Sequence, residues 1–244
     1  MTATPDTHGR ARDAAVWITR AEPGAFATAA RVADMGFRPL VLPLIETVDL
    51  QVDPEDLAAD GPLAFTSANG VRAFARLSPR RSGPVYVVGA ATAAAARAAG
   101  FCDVIEGAGD VEALADRILA DGILADAPAG EILHASAREP AGDLAGRLVA
   151  AGRPARRVAL YAARDTQPAG TDLQAALASP FVLVHSPRAG RRLAGLLAGA
   201  SVRPCVLGLS RACLVPLEGL DLAGLAAPDS PLETDLLNLL ASSR

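Results

Sequence analysis

The sequence predicts an α/β protein with parallel sheets, on three observations. Short β-branched or apolar runs alternate with stretches at helical period. The junctions between them carry Gly, Pro, Ser or Thr, the punctuation of strand-loop-helix units. Spacings in the first half recur in the second: Ser67 and Ser186 each stand 22 residues before a glycine, Gly89 and Gly208, and each of those stands 11 before another, Gly100 and Gly219. An internal duplication at an offset of about 116–119 residues accounts for this with one assumption.

Taken in order, the apolar run Val16-Trp17-Ile18 predicts a strand at 16–19, followed by a helical pattern that reaches Met35 and stops at Gly36, a residue suited to the turn after a helix. A strand is expected at 39–45 and a polar crossing segment at 46–60. Strands at 63–66, 85–88 and 104–105 then alternate with helices at 68–77, 91–99 and 111–120. The scheme repeats with a strand at 132–135, a helix at 142–151 ended by Gly152, a strand at 157–162 and a polar link from Asp165 to Gly170. Strands at 181–185 and 205–207, helices at 189–198 and 212–217 and a closing helix at 232–241 complete it.

Composition removes several function classes. With 244 residues, 51% of them hydrophobic, the chain can bury a core and holds one large domain or two small ones. Acidic residues (27) outnumber basic ones (23), so the basic excess that drives nucleic-acid binding is missing. Every basic side chain other than His is Arg; without Lys there is no Schiff-base chemistry, pyridoxal attachment or Walker A site. Three cysteines, Cys102, Cys205 and Cys213, make neither a disulfide framework nor a C-x-x-C site, so a reduced cytoplasm is expected. Residues 1–14 are polar, read as a disordered tail, and hold no apolar run long enough for a signal peptide or a membrane span.

The chemistry concentrates in loops. In a parallel sheet, loops at the carboxyl ends of strands open onto helix N-termini, where unpaired N–H groups attract anions. Six such loops are expected: Thr19-Arg20, Thr66-Ser67-Ala68-Asn69-Gly70, Gly89-Ala90-Ala91-Thr92, Ser136-Ala137-Arg138, His185-Ser186-Pro187-Arg188 and Gly208-Leu209-Ser210-Arg211. Taken singly, each Ser or Thr reads as a helix N-cap. Together, hydroxyls and Arg guanidinium groups suit a ligand with several carboxylates or phosphates.

Other motifs are weak. No G-x-G-x-x-G follows the first strand, no H-E-x-x-H is present, and His185-Ser186-Pro187 is not a nucleophile elbow. His134 and His185 lie near strand ends and read as satisfied polar contacts, too few for a catalytic zinc. Tyr86 reads as core. Tyr161, at the end of the predicted strand 157–162, can donate a proton to a leaving oxygen or pack its ring with the hydroxyl wet.

Read together, these segments resemble the uroporphyrinogen-III synthase family. The resemblance is carried by Val16-Trp17-Ile18-Thr19-Arg20 with Glu22-Pro23, the stretch 36–45, Phe65-Thr66-Ser67-Ala68-Asn69-Gly70-Val71-Arg72, Val88-Gly89-Ala90-Ala91-Thr92-Ala93, Ala141-Gly142-Asp143-Leu144 and Val158-Ala159-Leu160-Tyr161. It covers nearly the whole chain after residue 15.

The resemblance implies two α/β domains joined by two linker strands with the active site in the cleft between them. One domain would be discontinuous, 15–45 plus 168–244, the other 53–156, and the linkers 46–52 and 157–167. The implied reaction closes hydroxymethylbilane to uroporphyrinogen III in tetrapyrrole biosynthesis, with no cofactor or metal. The implied partner is that small molecule alone, with no nucleic acid or membrane, and the implied state a monomer.

Tyr161 matches the family's tyrosine that assists departure of the hydroxyl. Thr66, Ser67, Gly89, Thr92 and Ser186 match cleft positions, and Thr19-Arg20 the first loop. Two departures stand out: Ser136-Ala137 followed by Arg138 where Arg-Gly is usual, and Gly208-Leu209-Ser210-Arg211-Ala212 where a second G-x-x-T-A loop is expected, with Arg211 or Ser210 in place of the Thr hydroxyl. They leave open a non-catalytic relative that binds a linear tetrapyrrole or another polyanion. A sugar- or nucleotide-binding module of the same architecture is a third possibility, since fold alone does not fix function.

Overall fold

The computed structural model describes residues 13–22, 24–122 and 130–243. The expected tail 1–14, apart from its last two residues, lies outside them, as does Pro23. The first stretch runs β1 (Ala15–Ile18), α1 (Gly24–Asp34), β2 (Arg38–Val41), β3 (Ile45–Asp49), β4 (Leu63–Phe65), α2 (Ala68–Leu77), β5 (Val85–Val87), α3 (Ala90–Ala98), β6 (Val104–Glu106) and α4 (Val111–Asp121). From residue 130 onward come β7 (Ile132–Ala137), α5 (Leu144–Ala150), β8 (Ala155–Asp165), α6 (Gly170–Leu177), β9 (Phe181–Val184), α7 (Pro187–Leu197), β10 (Cys205–Gly208), α8 (Arg211–Leu214), β11 (Gly224–Ala226) and α9 (Glu233–Ser242).

The chain divides into two compact units, Met1–Glu46 with Arg164–Arg244 and Thr47–Ala163. The first carries a five-stranded parallel sheet in the order β11-β10-β9-β1-β2. Its central strands are apolar throughout because both faces are covered. Trp17, Val182, Val184 and Val206 pack to one side with Leu193 and Leu214. Val16, Ile18, Leu183 and Leu207 alternate with them and pack to the other side with Val32 and Leu236. The indole N–H of Trp17 is satisfied by the Leu42 carbonyl at 2.7 Å.

The second unit carries the order β3-β8-β7-β4-β5-β6, of which β8 to β6 are parallel. The Leu50 N–H bonds the Leu160 carbonyl and the Thr166 N–H the Leu44 carbonyl, so β3 runs antiparallel to β8. Phe65, Phe74 and Phe101 stack as tilted and edge-on rings in its larger core. Asp110 and Asp143 cap α4 and α5 through the N–H groups of Ala113 and Gly146.

The two sheets share one plan. Numbered 1 to 5 as β1, β2, β9, β10 and β11, the first sheet has the order 2-1-3-4-5, and numbered 1 to 5 as β7, β8, β4, β5 and β6, a circular permutation of chain order, the second has the same order. Registers agree: Val16 faces Pro39 and Ile132 faces Ala155, each pair 23 residues apart. Val206 faces Leu225 and Val85 faces Val104, each pair 19 apart. The chain is thus two tandem copies of a five-strand plan, and each unit takes strands 1 and 2 from one copy and 3 to 5 from the other.

The structure corrects several expected elements. The strand expected at 39–45 is two strands in different sheets, β2 and β3, separated at Pro43, which has no N–H for a ladder. The polar link from Asp165 ends at Gly170, where an unassigned helix, α6, begins, and the short β11 was not expected either. One spacing match is coincidental. Leu63 faces Val85 across 22 residues whereas Val182 faces Val206 across 24, so the counterpart of Gly89 is Ser210. Gly208 lies inside β10.

Candidate active site

In the Thr47–Ala163 unit, expected site residues gather at the carboxyl ends of β4, β5 and β7, with Tyr161 within β8. Ser67 caps α2 by accepting the Asn69 N–H at 3.1 Å. Gly70, one turn on, is where α2 closes on β7: a Cβ there would lie 2.7 Å from the Ala135 carbonyl oxygen. Thr66, half-buried, has Oγ1 3.1 Å from His134 Nε2. His134 is fully buried, and burial, aided by the Arg157 charge, lowers its pKa to about 4. Gly89 caps α3 with extended backbone, and Thr92 behind it is buried.

Ser136 ends the regular part of β7. Its hydroxyl donates to the Ala137 carbonyl at 3.0 Å, and a bulge follows between Ser136 and Ala137. Arg138 is exposed beyond the bulge and its N–H donates to the Tyr161 carbonyl at 2.7 Å. Tyr161 itself is not at a strand end. β8 runs on to Asp165 because residues beyond Ala162 stay extended, with Arg164 bonded to Glu46 at 2.9 Å. Tyr161 is 8% exposed and joins the core of Phe65, Leu133 and Ala135.

In the other unit, Thr19 is fully buried and its hydroxyl donates to the Leu183 carbonyl at 2.8 Å. Arg20 is paired: its Nη1 lies 3.0 Å from Oε2 of Glu233, the first residue of α9. Thr28 donates to the other carboxylate oxygen at 2.5 Å, and His185 Nε2 approaches at 3.2 Å. Burial alone would raise the Glu233 pKa, but His185, the Thr28 hydroxyl and the Arg20 charge hold it down at about 2. Ser186 caps α7 by accepting the Ala189 N–H at 3.1 Å.

Ser210 stands at the start of α8 with its hydroxyl 3.5 Å from Cys213 Sγ. With Arg211, which is largely exposed, it lines a cavity of about 400 Å³ with Leu214, Ala226 and Asp229, beyond the ends of β10 and β11. Arg211 does not replace Thr92. With Ser210 matching Gly89, the buried counterpart of Thr92 is Cys213. Cys213, Glu233 and Thr28 were missed from the sequence because their roles depend on register and on a distant helix rather than on any local motif. Among the described residues, no group of three His, Cys, Asp or Glu is placed to hold a metal ion, and no helix is long and apolar enough to cross a membrane.

A family model described as uroporphyrinogen-III synthase HemD matches residues 27–216. The chain belongs to this family. Family members are cyclising lyases of tetrapyrrole biosynthesis. The fold is that of uroporphyrinogen-III synthetase from Helicobacter pylori, with a TM-score of 0.65 at 15% identity, covering 95% of this chain and 100% of that one. A mutant uroporphyrinogen III synthase from the extremely thermophilic bacterium Thermus thermophilus superposes with a TM-score of 0.52 at 18% identity, covering 94% and 99%. No curated protein matches the chain. The strand-end hydroxyls and guanidinium groups are hydrogen-bond donors of a kind suited to carboxylates.

Proposed function

We propose that this chain closes hydroxymethylbilane to uroporphyrinogen III with loss of water, and that Tyr161 gives the departing hydroxyl its proton. The observation that carries the reading is the family match over residues 27–216. Loss of the hydroxyl leaves an electrophilic azafulvene. The substituted carbon of the last pyrrole attacks it; the spiro intermediate breaks that ring's bond to its original bridge, and the ring's free α-carbon recloses on the bridge with loss of a proton, which leaves the ring inverted. No external nucleophile enters, so the protein's main contribution is to hold two ends of one flexible molecule in a reactive geometry.

Carboxylates on every ring supply the handles. Thr66, Ser67, Gly89, Thr92 and Ser136 with Arg138 serve as anchors from one unit, and Thr19, Arg20, Ser186, Ser210 and Arg211 from the other. Three of these are already committed: the Thr19 hydroxyl to Leu183, Arg20 to Glu233 and the Ser136 hydroxyl to Ala137, so they shape their loops, Arg20 until Glu233 is displaced. The protein acts as a monomer in the cytoplasm. A coupled assay that generates the bilane in place tests the reading, with isomer III dominant over the spontaneous isomer I as the expected result.

A second reading rests on the altered loops. Ser210 and Cys213 stand where the other half has Gly89 and Thr92, and Ser136-Ala137 replaces the Arg-Gly usual in relatives. A member that binds a linear tetrapyrrole without turning it over would give tight bilane binding and isomer I alone.

A further inference from the structure

His134 is the third residue of β7, fully buried, with Nε2 3.1 Å from Thr66 Oγ1. Its other ring nitrogen, Nδ1, is also buried and has no hydrogen-bond partner among the described residues. A neutral imidazole has one N–H and one lone pair, so the unpartnered position settles the tautomer. A proton on Nδ1 would bury an orphan N–H, which folded proteins avoid more strictly than an unused lone pair. A proton on Nε2 is satisfied by the Thr66 oxygen. The doubly protonated ring is excluded at neutral pH by burial and by Arg157, against which Asp143 pulls only weakly.

We infer that His134 is a positioning residue: its Nε2–H donates to Thr66 Oγ1 and thereby leaves the Thr66 hydroxyl proton to be given to an acceptor-only group, a substrate carboxylate. The inference deepens the proposed function and rests on it for the identity of the carboxylate. The imidazole takes one lone pair of the hydroxyl and turns its O–H outward. A ligand offering an ionised carboxylate takes that proton, whereas one offering only donors leaves it unpaired and binds more weakly. The fold does not require a histidine here. In the other unit the matching register positions hold Ile18 and His185, with Ile18 facing Leu183 as His134 faces Ala64.

The test has an arm that needs no turnover. The chain contains three histidines, so protein labelled with ¹⁵N-histidine gives a resolvable long-range ¹H–¹⁵N spectrum. The expected result for His134 is a protonated Nε2 and a bare Nδ1; a protonated Nδ1 overturns the inference. In the activity arm, His134→Leu and Thr66→Val should each raise KM for the bilane about five-fold or more with kcat little changed, and the double variant should add nothing further. His134→Gln, whose amide also donates, should restore KM. Multiplying effects of the two single variants, or a fall in kcat at constant KM, would count against it. A protein that gives only isomer I would remove the proposed function, while the histidine spectrum would still decide the tautomer.

Discussion

Thr66 and Glu233 show how much of the site depends on what a side chain already holds. Glu233 is held by three partners, so Arg20 is not a free cation. Glu233→Ala should release Arg20 to a substrate carboxylate, lowering KM for the bilane while also lowering the urea midpoint. The titrating groups predict an acid response in two windows. His134 falls from an ordinary 6.5 to about 4 on folding, so the unfolded chain binds its proton first and the stability present above pH 6.5 is lost as pH falls toward 4. The loss should reach about 2 kcal/mol by pH 5, and His134→Gln should abolish it. Glu233 falls from 4.5 to about 2, so its contribution is present above pH 4.5 and is lost only as pH falls from there toward 2. Urea midpoints measured at pH 7, 5 and 3.5 report mainly His134 in the first interval and both groups in the second. An unchanged midpoint between pH 7 and 5 would contradict the assignment of His134.

At the scale of elements, the junctions where α2 and α7 follow β4 and β9 are what the sequence made legible. Ser67 and Ser186 cap helices where the spacing put them, and the apolar alternation of Val16, Trp17 and Ile18 reads directly as a strand covered on both faces. Other elements were hidden for physical reasons. β11 is three residues, too short for periodicity, and α6 begins in a Gly-Thr-Asp sequence that reads as a loop until its Ala and Leu residues pack. Tyr161 sits within a long strand because β8 is sustained by partners at 44–50, which no local pattern announces. Gly70→Ala tests the closest approach of α2 to β7. Its Cβ would meet the Ala135 carbonyl at 2.7 Å, so a loss of about 1–3 kcal/mol is expected in thermal or urea unfolding. A neutral result would mean that α2 can move away from the sheet at no cost.

For the molecule as a whole, the tandem plan accounts for the repeated spacings and for the one that misled. Gly208 matches Gly89 in number, but two additional residues between β9 and β10 move the equivalence to Ser210 and place Cys213 at the position of Thr92. Because each unit draws strands from both copies, neither copy alone contains a complete sheet. The segment Thr47–Ala163 does, and expressed alone it should unfold cooperatively, whereas a fragment of 13–122 should not; circular dichroism on both fragments checks this. The reaction assignment is tested most directly by the isomer ratio in a coupled assay that generates hydroxymethylbilane in place, with Tyr161→Phe alongside. The account predicts isomer III from the native chain and a rate reduced about 10- to 100-fold in the variant. Isomer I alone from the native chain would contradict it.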